Sequence, residues 1–217
     1  MSQNTNISFE FLPFFWNKTK FTVSIDFTSE TQNLNQTREI SSTEYRHSVI
    51  KGIERWNNVL RKNEEDYENI SDISFEIVEE SDGTEDIRVS WWDSNSNNGL
   101  ADCLPRTSSL KTNGVIYIAK HKIDGIRHTP EQISSITTHE LGHVLGIGHV
   151  VDLTWGQQPF TNDLMISNTP IQPDPRRMIS NLDLQIIDLM FNANSDSKRN
   201  SMPKIFDFPL SNWISIG

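Results

Sequence analysis

THELGHVLGIGH, residues 138–149, decides how the rest of the chain is read. Three of the chain's six histidines fall inside it, with a glutamate beside the first. His139 and His143 are four apart, about 400° of helical rotation, so their side chains lie on one face, one turn apart. Glu140 points about 100° away from that line. It sits too far round to be a natural third ligand, yet close enough to hydrogen-bond a water held by an ion there. Gly146 then stops the helix, because glycine takes the left-handed conformation that a sharp exit needs. Gly148 keeps the turn slim, and His149 can swing back to the same ion. Three neutral imidazoles fill three corners of a tetrahedral zinc site and leave the fourth open, as catalysis requires. A lone helical histidine is ordinarily a surface or core residue. Several specified residues at fixed spacing, where the chain independently reads as helix and then glycine break, are a different matter.

Outward from this segment, strands and helices mix, with one sheet and about three helices expected. TPEQISSITTHELGHVLG (129–146) reads as one helix, with Thr129 as cap and Pro130 at its first position. KFTVSIDF (20–27), ISFEIVEE (73–80) and EDIRVSWW (85–92) alternate as strands, and GVIYIAK (114–120) is apolar enough for a sheet centre. STEYRHSVIKGIERWNNVL (42–60) places Val49, Ile50, Ile53, Trp56, Val59 and Leu60 at helical spacing. A last helix is expected over 180–191, capped by Ser180 or Asn181, after an irregular stretch at 156–177. The reading is of a short leader (1–12), one domain (13–192) and a tail (193–217) that either packs back through Phe206, Phe208 and Trp213 or serves as a docking segment.

Composition narrows the function. The 217 residues carry 19 Lys+Arg against 29 Asp+Glu, a net charge of −10, which disfavours nucleic acid and anionic membranes as partners. No segment approaches the roughly 20 apolar residues of a membrane span. The first residues lack the basic and apolar regions of a signal peptide. The expectation is a protein that stays inside, leaves by another route, or has had a leader trimmed. Cys103 is the single cysteine, so no intrachain disulfide supports the fold.

The segment matches the H-E-x-x-H-x-x-G-x-x-H pattern of metzincin zinc peptidases at every specified position. Within that group the chain resembles the matrixins over residues 13–192. FFWNKTKFTVSIDF (14–27) is similar to their opening Trp and first strand, and IERWNNVL (53–60) to their first helix with its late Trp. EDIRVSWW, GLADCLP (99–105), NGVIYI (113–118) and ISNLDLQIIDLM (179–190) resemble their strands, edge segment and closing helix. NDLM (162–165) is closer to the matrixin Met segment than to that of astacins, which place a Tyr where this chain has Ser167.

The resemblance implies an α+β fold: a twisted, mostly parallel five-stranded sheet with three main helices and a cleft between upper and lower subdomains. It implies a zinc-dependent endopeptidase with one catalytic Zn2+ on His139, His143 and His149. Glu140 is general base and acid, and Met165 forms a soft floor under the imidazoles. A polypeptide substrate would lie antiparallel to the edge segment at Leu100, Ala101, Asp102, Cys103 and Leu104. Thr138, Ile166 and Asn168 would line the pocket, with 166–173 as its wall. A monomer is expected.

Several positions depart from the family pattern. Asp102 stands where matrixins have a structural-zinc histidine, and His121 and His128 are off the required spacing, so they read as ordinary surface histidines. DSNSNNGLAD (93–102) offers oxygen ligands for Ca2+ but fails the EF-hand template, and a solvated loop is expected. No pro-domain cysteine motif occurs. Cys103 reads as an inert thiol, and Glu10 as the one conceivable latch on the zinc. Two other readings compete with the peptidase: a catalytically silent metzincin scaffold that binds protein or peptide, and a zinc hydrolase acting on a non-peptide amide.

Overall fold

The computed structural model describes residues 6–11, 16, 18–27, 42–67, 69–79, 83–92, 99–105, 112–121, 125–150, 164–165, 177–192 and 205–209. Its main sheet has five strands: β2 (Lys20–Asp26), β3 (Ser74–Val78), β4 (Ile87–Trp92), β5 (Gly99–Pro105) and β6 (Thr112–Ala119). Their order is β3-β2-β4-β6-β5. The first four run parallel, and β5 is antiparallel to β6 from Gly99↔Ile118 to Pro105↔Thr112. With the three helices below, this is the α+β class that the sequence implies.

Parallel neighbours need crossover connections, and α1 (Ser42–Lys62) supplies the one from β2 to β3. Its buried stripe is Val49, Ile53, Trp56, Val59 and Leu60, as the spacing predicts, with Ile50 at the half-buried margin. From the strands, Ile87, Val89 and Trp91 share the buried face of β4. Phe21 stacks on Phe75 with ring centroids 5.4 Å apart and meets Trp16 edge-on at 4.8 Å. At Phe75 a side chain of α1 caps the outer edge of β3. Asn57 accepts from Phe75 N and donates to Phe75 O, both at 2.9 Å, so this edge residue has no backbone group left to recruit another strand.

The second helix, α2 (Pro130–Val144), starts with a reciprocal cap. Thr129 accepts from Gln132 N, and the Gln132 side chain accepts from Thr129 N. Gly146, at φ 97°, makes the left-handed exit expected of it. The third helix, α3 (Asn181–Asn192), is capped by Ser180, which exchanges hydrogen bonds with the fully buried Asp183. Trp16 donates to Val144 O at 2.6 Å and so covers the C-terminal end of α2.

A second, smaller sheet escaped the sequence reading. Strands β1 (Asn6–Phe11), β7 (Ile147–Val150) and β8 (Ile205–Pro209) pair antiparallel in the order β7-β1-β8. Residues 205–209 therefore pair with β1, while the side chains of Phe206 and Phe208 and the whole of Trp213, through which the tail was expected to pack back, lie outside the described residues. No described helix is long and apolar enough to cross a membrane.

Candidate metal centre

Helix α2 delivers His139 and His143 from successive turns, with ring centroids 4.7 Å apart. The break at Gly146 and strand β7 then bring His149 back onto them. His149 Nε2 lies 3.2 Å from His139 Nε2 and 3.1 Å from His143 Nε2. Among the described residues these three form a cluster able to hold a metal ion.

The other ring nitrogens fix what the inner ones can do. His139 Nδ1 lies 2.7 Å from Leu164 O, and His143 Nδ1 lies 2.7 Å from Ile147 O. A carbonyl oxygen only accepts, so each Nδ1 carries the hydrogen and each Nε2 of these neutral rings presents a lone pair. Two such lone pairs converge on a third imidazole nitrogen at contact distance, an arrangement that a cation between them resolves. Two nitrogens about 2.0–2.1 Å from a tetrahedral zinc stand about 3.3–3.4 Å apart, close to the spacings here. The donor set therefore fits zinc in both chemistry and size.

His139 and His143 are held neutral. Burial pushes the His139 pKa well below its ordinary value, helped by His143, His149 and the nearby Arg177 charge, against the opposing bond to Leu164 O. Burial, and then His149, lower His143 to about 4, against the bond to Ile147 O. Between the unfolded value of 6.5 and about 4, the unfolded chain binds a proton that the folded one refuses, so falling pH favours unfolding. Thermal melts in chelator should accordingly show the metal-free protein losing melting temperature from pH 6.5 down to pH 4. A flat profile across that window would contradict the depressed value.

Beneath the histidines lies a buried turn at Leu164 and Met165. Leu164 O receives His139, and Leu164 N donates to Met178 O at 2.9 Å. Met165 is fully buried, and a Cβ on Gly142 would come within 2.6 Å of its Sδ. The thioether thus lies against the helical turn between the two ligands. Trp56 packs against the same turn: its Nε1 donates to Thr138 O at 2.8 Å, and its ring edge would lie 3.4 Å from the same Cβ. Arg55 donates to Arg177 O, tying α1 to the segment that carries Met178.

Glu140 is buried, at 6% exposure. Leu100, Ala101, Asp102, Cys103 and Leu104 lie along β5, paired to β6 on one side; only their backbone is described. Ile166 and Asn168 lie outside the described residues, as do the 93–98 loop and the side chain of Glu10. Thr138, expected to touch substrate, is fully buried, and its hydroxyl is shared between Gly52 O at 3.2 Å and Ser134 O at 2.8 Å. His128, expected at the surface, is fully buried, its backbone N donating to Lys120 O. It precedes the cap of α2, where the chain turns inward from β6. Sequence reasoning missed the two orienting carbonyls and the buried Arg177. A backbone carbonyl has no signature in a sequence, and Arg177 falls at the end of the stretch that reads as irregular, 156–177.

No family model matches the chain, and no curated protein matches it. Among solved structures it is similar to myroilysin, at 15% identity over 80% of this chain and 93% of that chain, with a TM-score of 0.41.

Proposed function

We propose that the chain is a zinc-dependent endopeptidase of the metzincin type, matrixin-like in its elements. The observation that carries this reading is the convergence of three imidazole Nε2 atoms, two of them forced into the lone-pair tautomer by backbone carbonyls. When bound there, zinc supplies a Lewis acid for the scissile carbonyl and acidifies a water. Glu140, one residue after the first ligand, takes the proton of the attacking water and returns it to the leaving amine. Met165 serves as the floor of the site, which its contact with the Gly142 turn supports. An extended polypeptide would pair with the edge strand β5 at Leu100–Leu104, with Ile166 and Asn168 beyond the scissile bond; the antiparallel edge position of β5 supports this.

The test is metal-stripped protein titrated with zinc and assayed on casein and a peptide library. Cleavage should appear with one equivalent of zinc, vanish on chelation and return on readdition. Protein that binds zinc and cuts no peptide would instead be a binding module, or a hydrolase of non-peptide amides if such a substrate turned over.

A further inference from the structure

We propose that strand β1 is a positioning element of the metal centre: through a bulge in β7 it aims His149, so that metal binding and docking of the terminal strands are thermodynamically linked. The inference rests on reading the three histidines as a metal site.

The register carries it. Phe9 pairs with Val150 and Phe11 with Ile147, so two steps along β1 answer three along β7. The extra residue falls at Gly148–His149, both opposite Glu10. In a regular strand each one-residue shift turns a side chain to the other face, and a bulge makes that shift locally. The side on which His149 emerges is therefore set by its pairing with β1. His149 is also the ligand that α2 does not hold, and the most exposed of the three. Strand β7 has four residues and, among the described strands, pairs with β1 alone. Ile147, opposite Phe11, supplies the carbonyl that orients His143. One backbone ladder thus fixes a ligand directly and the tautomer of a second. β8 covers the far side of β1 from Asn6↔Pro209 to Glu10↔Ile205, so the carboxy-terminal strand holds the amino-terminal one in place.

Linkage is reciprocal: if β1 docking favours the bound metal, the metal must favour β1 docking by the same factor. Hydrogen exchange by mass spectrometry on the full chain, with zinc and with chelator, reads this directly. Peptides covering 6–11 and 205–209 should exchange about tenfold more slowly with zinc, together with 147–150. Successive residues of a central strand send their N–H groups to opposite neighbours, so Ser8→Pro and Phe9→Pro between them break β1 from β7 and from β8. Competition with a fluorescent chelator should show zinc binding weakened on the order of tenfold or more, the range for lost orienting partners. Zinc that slows 139–149 but not 6–11, or proline variants that bind zinc like the parent, would overturn the proposal and leave the metal site standing. Should either variant fail to fold, the parent's exchange decides. A parent chain that binds no zinc overturns both.

Discussion

Glu140→Gln should retain one bound zinc and hydrolyse peptides roughly 10³-fold more slowly than the parent, within the span of general acid–base contributions. The prediction separates two roles a buried carboxylate beside a metal ligand can have. One is to orient an imidazole through its outer nitrogen. At His139 and His143 that place is already taken by Leu164 O and Ile147 O. The other is to move protons. Gln keeps the volume and the hydrogen-bonding oxygen at a site with 6% exposure but cannot accept a proton at neutral pH. Zinc stoichiometry and melting temperature should therefore match the parent while kcat falls. Activity within about tenfold of the parent would exclude Glu140 as the base. Loss of zinc along with activity would make it a structural partner of the ligands. His143→Ala is the contrasting case, since it removes a ligand and should lose metal and activity together.

What the sequence could reveal of this site follows the range over which each interaction acts. The spacing of His139, His143 and Gly146 is local, and helix periodicity alone puts the two rings on one face. Capping by Thr129 was legible for the same reason, and that of the last helix was narrowed to Ser180 or Asn181, of which Ser180 is the cap. The long-range hydrogen bonds were not: Leu164 O lies 25 residues from the ring it orients, and Trp16 reaches Val144 across 128. The small sheet was hidden differently. Ile7, Phe9 and Phe11 alternate, as do Phe206 and Phe208, but a short alternating run finds its partner only through pairing across most of the chain. Thr138 shows how a polar residue on a helix misleads. A hydroxyl next to the first ligand reads as a pocket lining, yet it turns to the α1 side because Gly52 lets that helix come close.

That close approach sets the second large effect. Gly52→Ala should destabilise the protein by on the order of 3 kcal/mol, the upper part of the overpacking range, and lower its melting temperature by about 10 °C. A Cβ at Gly52 would lie 2.7 Å from Ser134 O and 2.7 Å from Thr137 Cβ. Neither can step aside: one is helix backbone, and the other is held by a fully buried side chain whose hydroxyl donates to Ile133 O. The two helices must therefore separate. Separation stretches the Thr138 bond to Gly52 O and the Trp56 bond to Thr138 O, at the helical turn that presents His139. Gly83→Ala supplies the control. Its φ of 80° makes any side chain strained there, but nothing lies within 4 Å of the added carbon, so only the left-handed cost of about 1–2 kcal/mol is expected. The two variants then differ in kind as well as size. Gly83→Ala should keep the zinc affinity of the parent, whereas Gly52→Ala should weaken it, because the helix it displaces carries two of the three ligands. Equal melting temperatures for the two variants would mean that α1 and α2 do not meet as closely as the distances at Gly52 require.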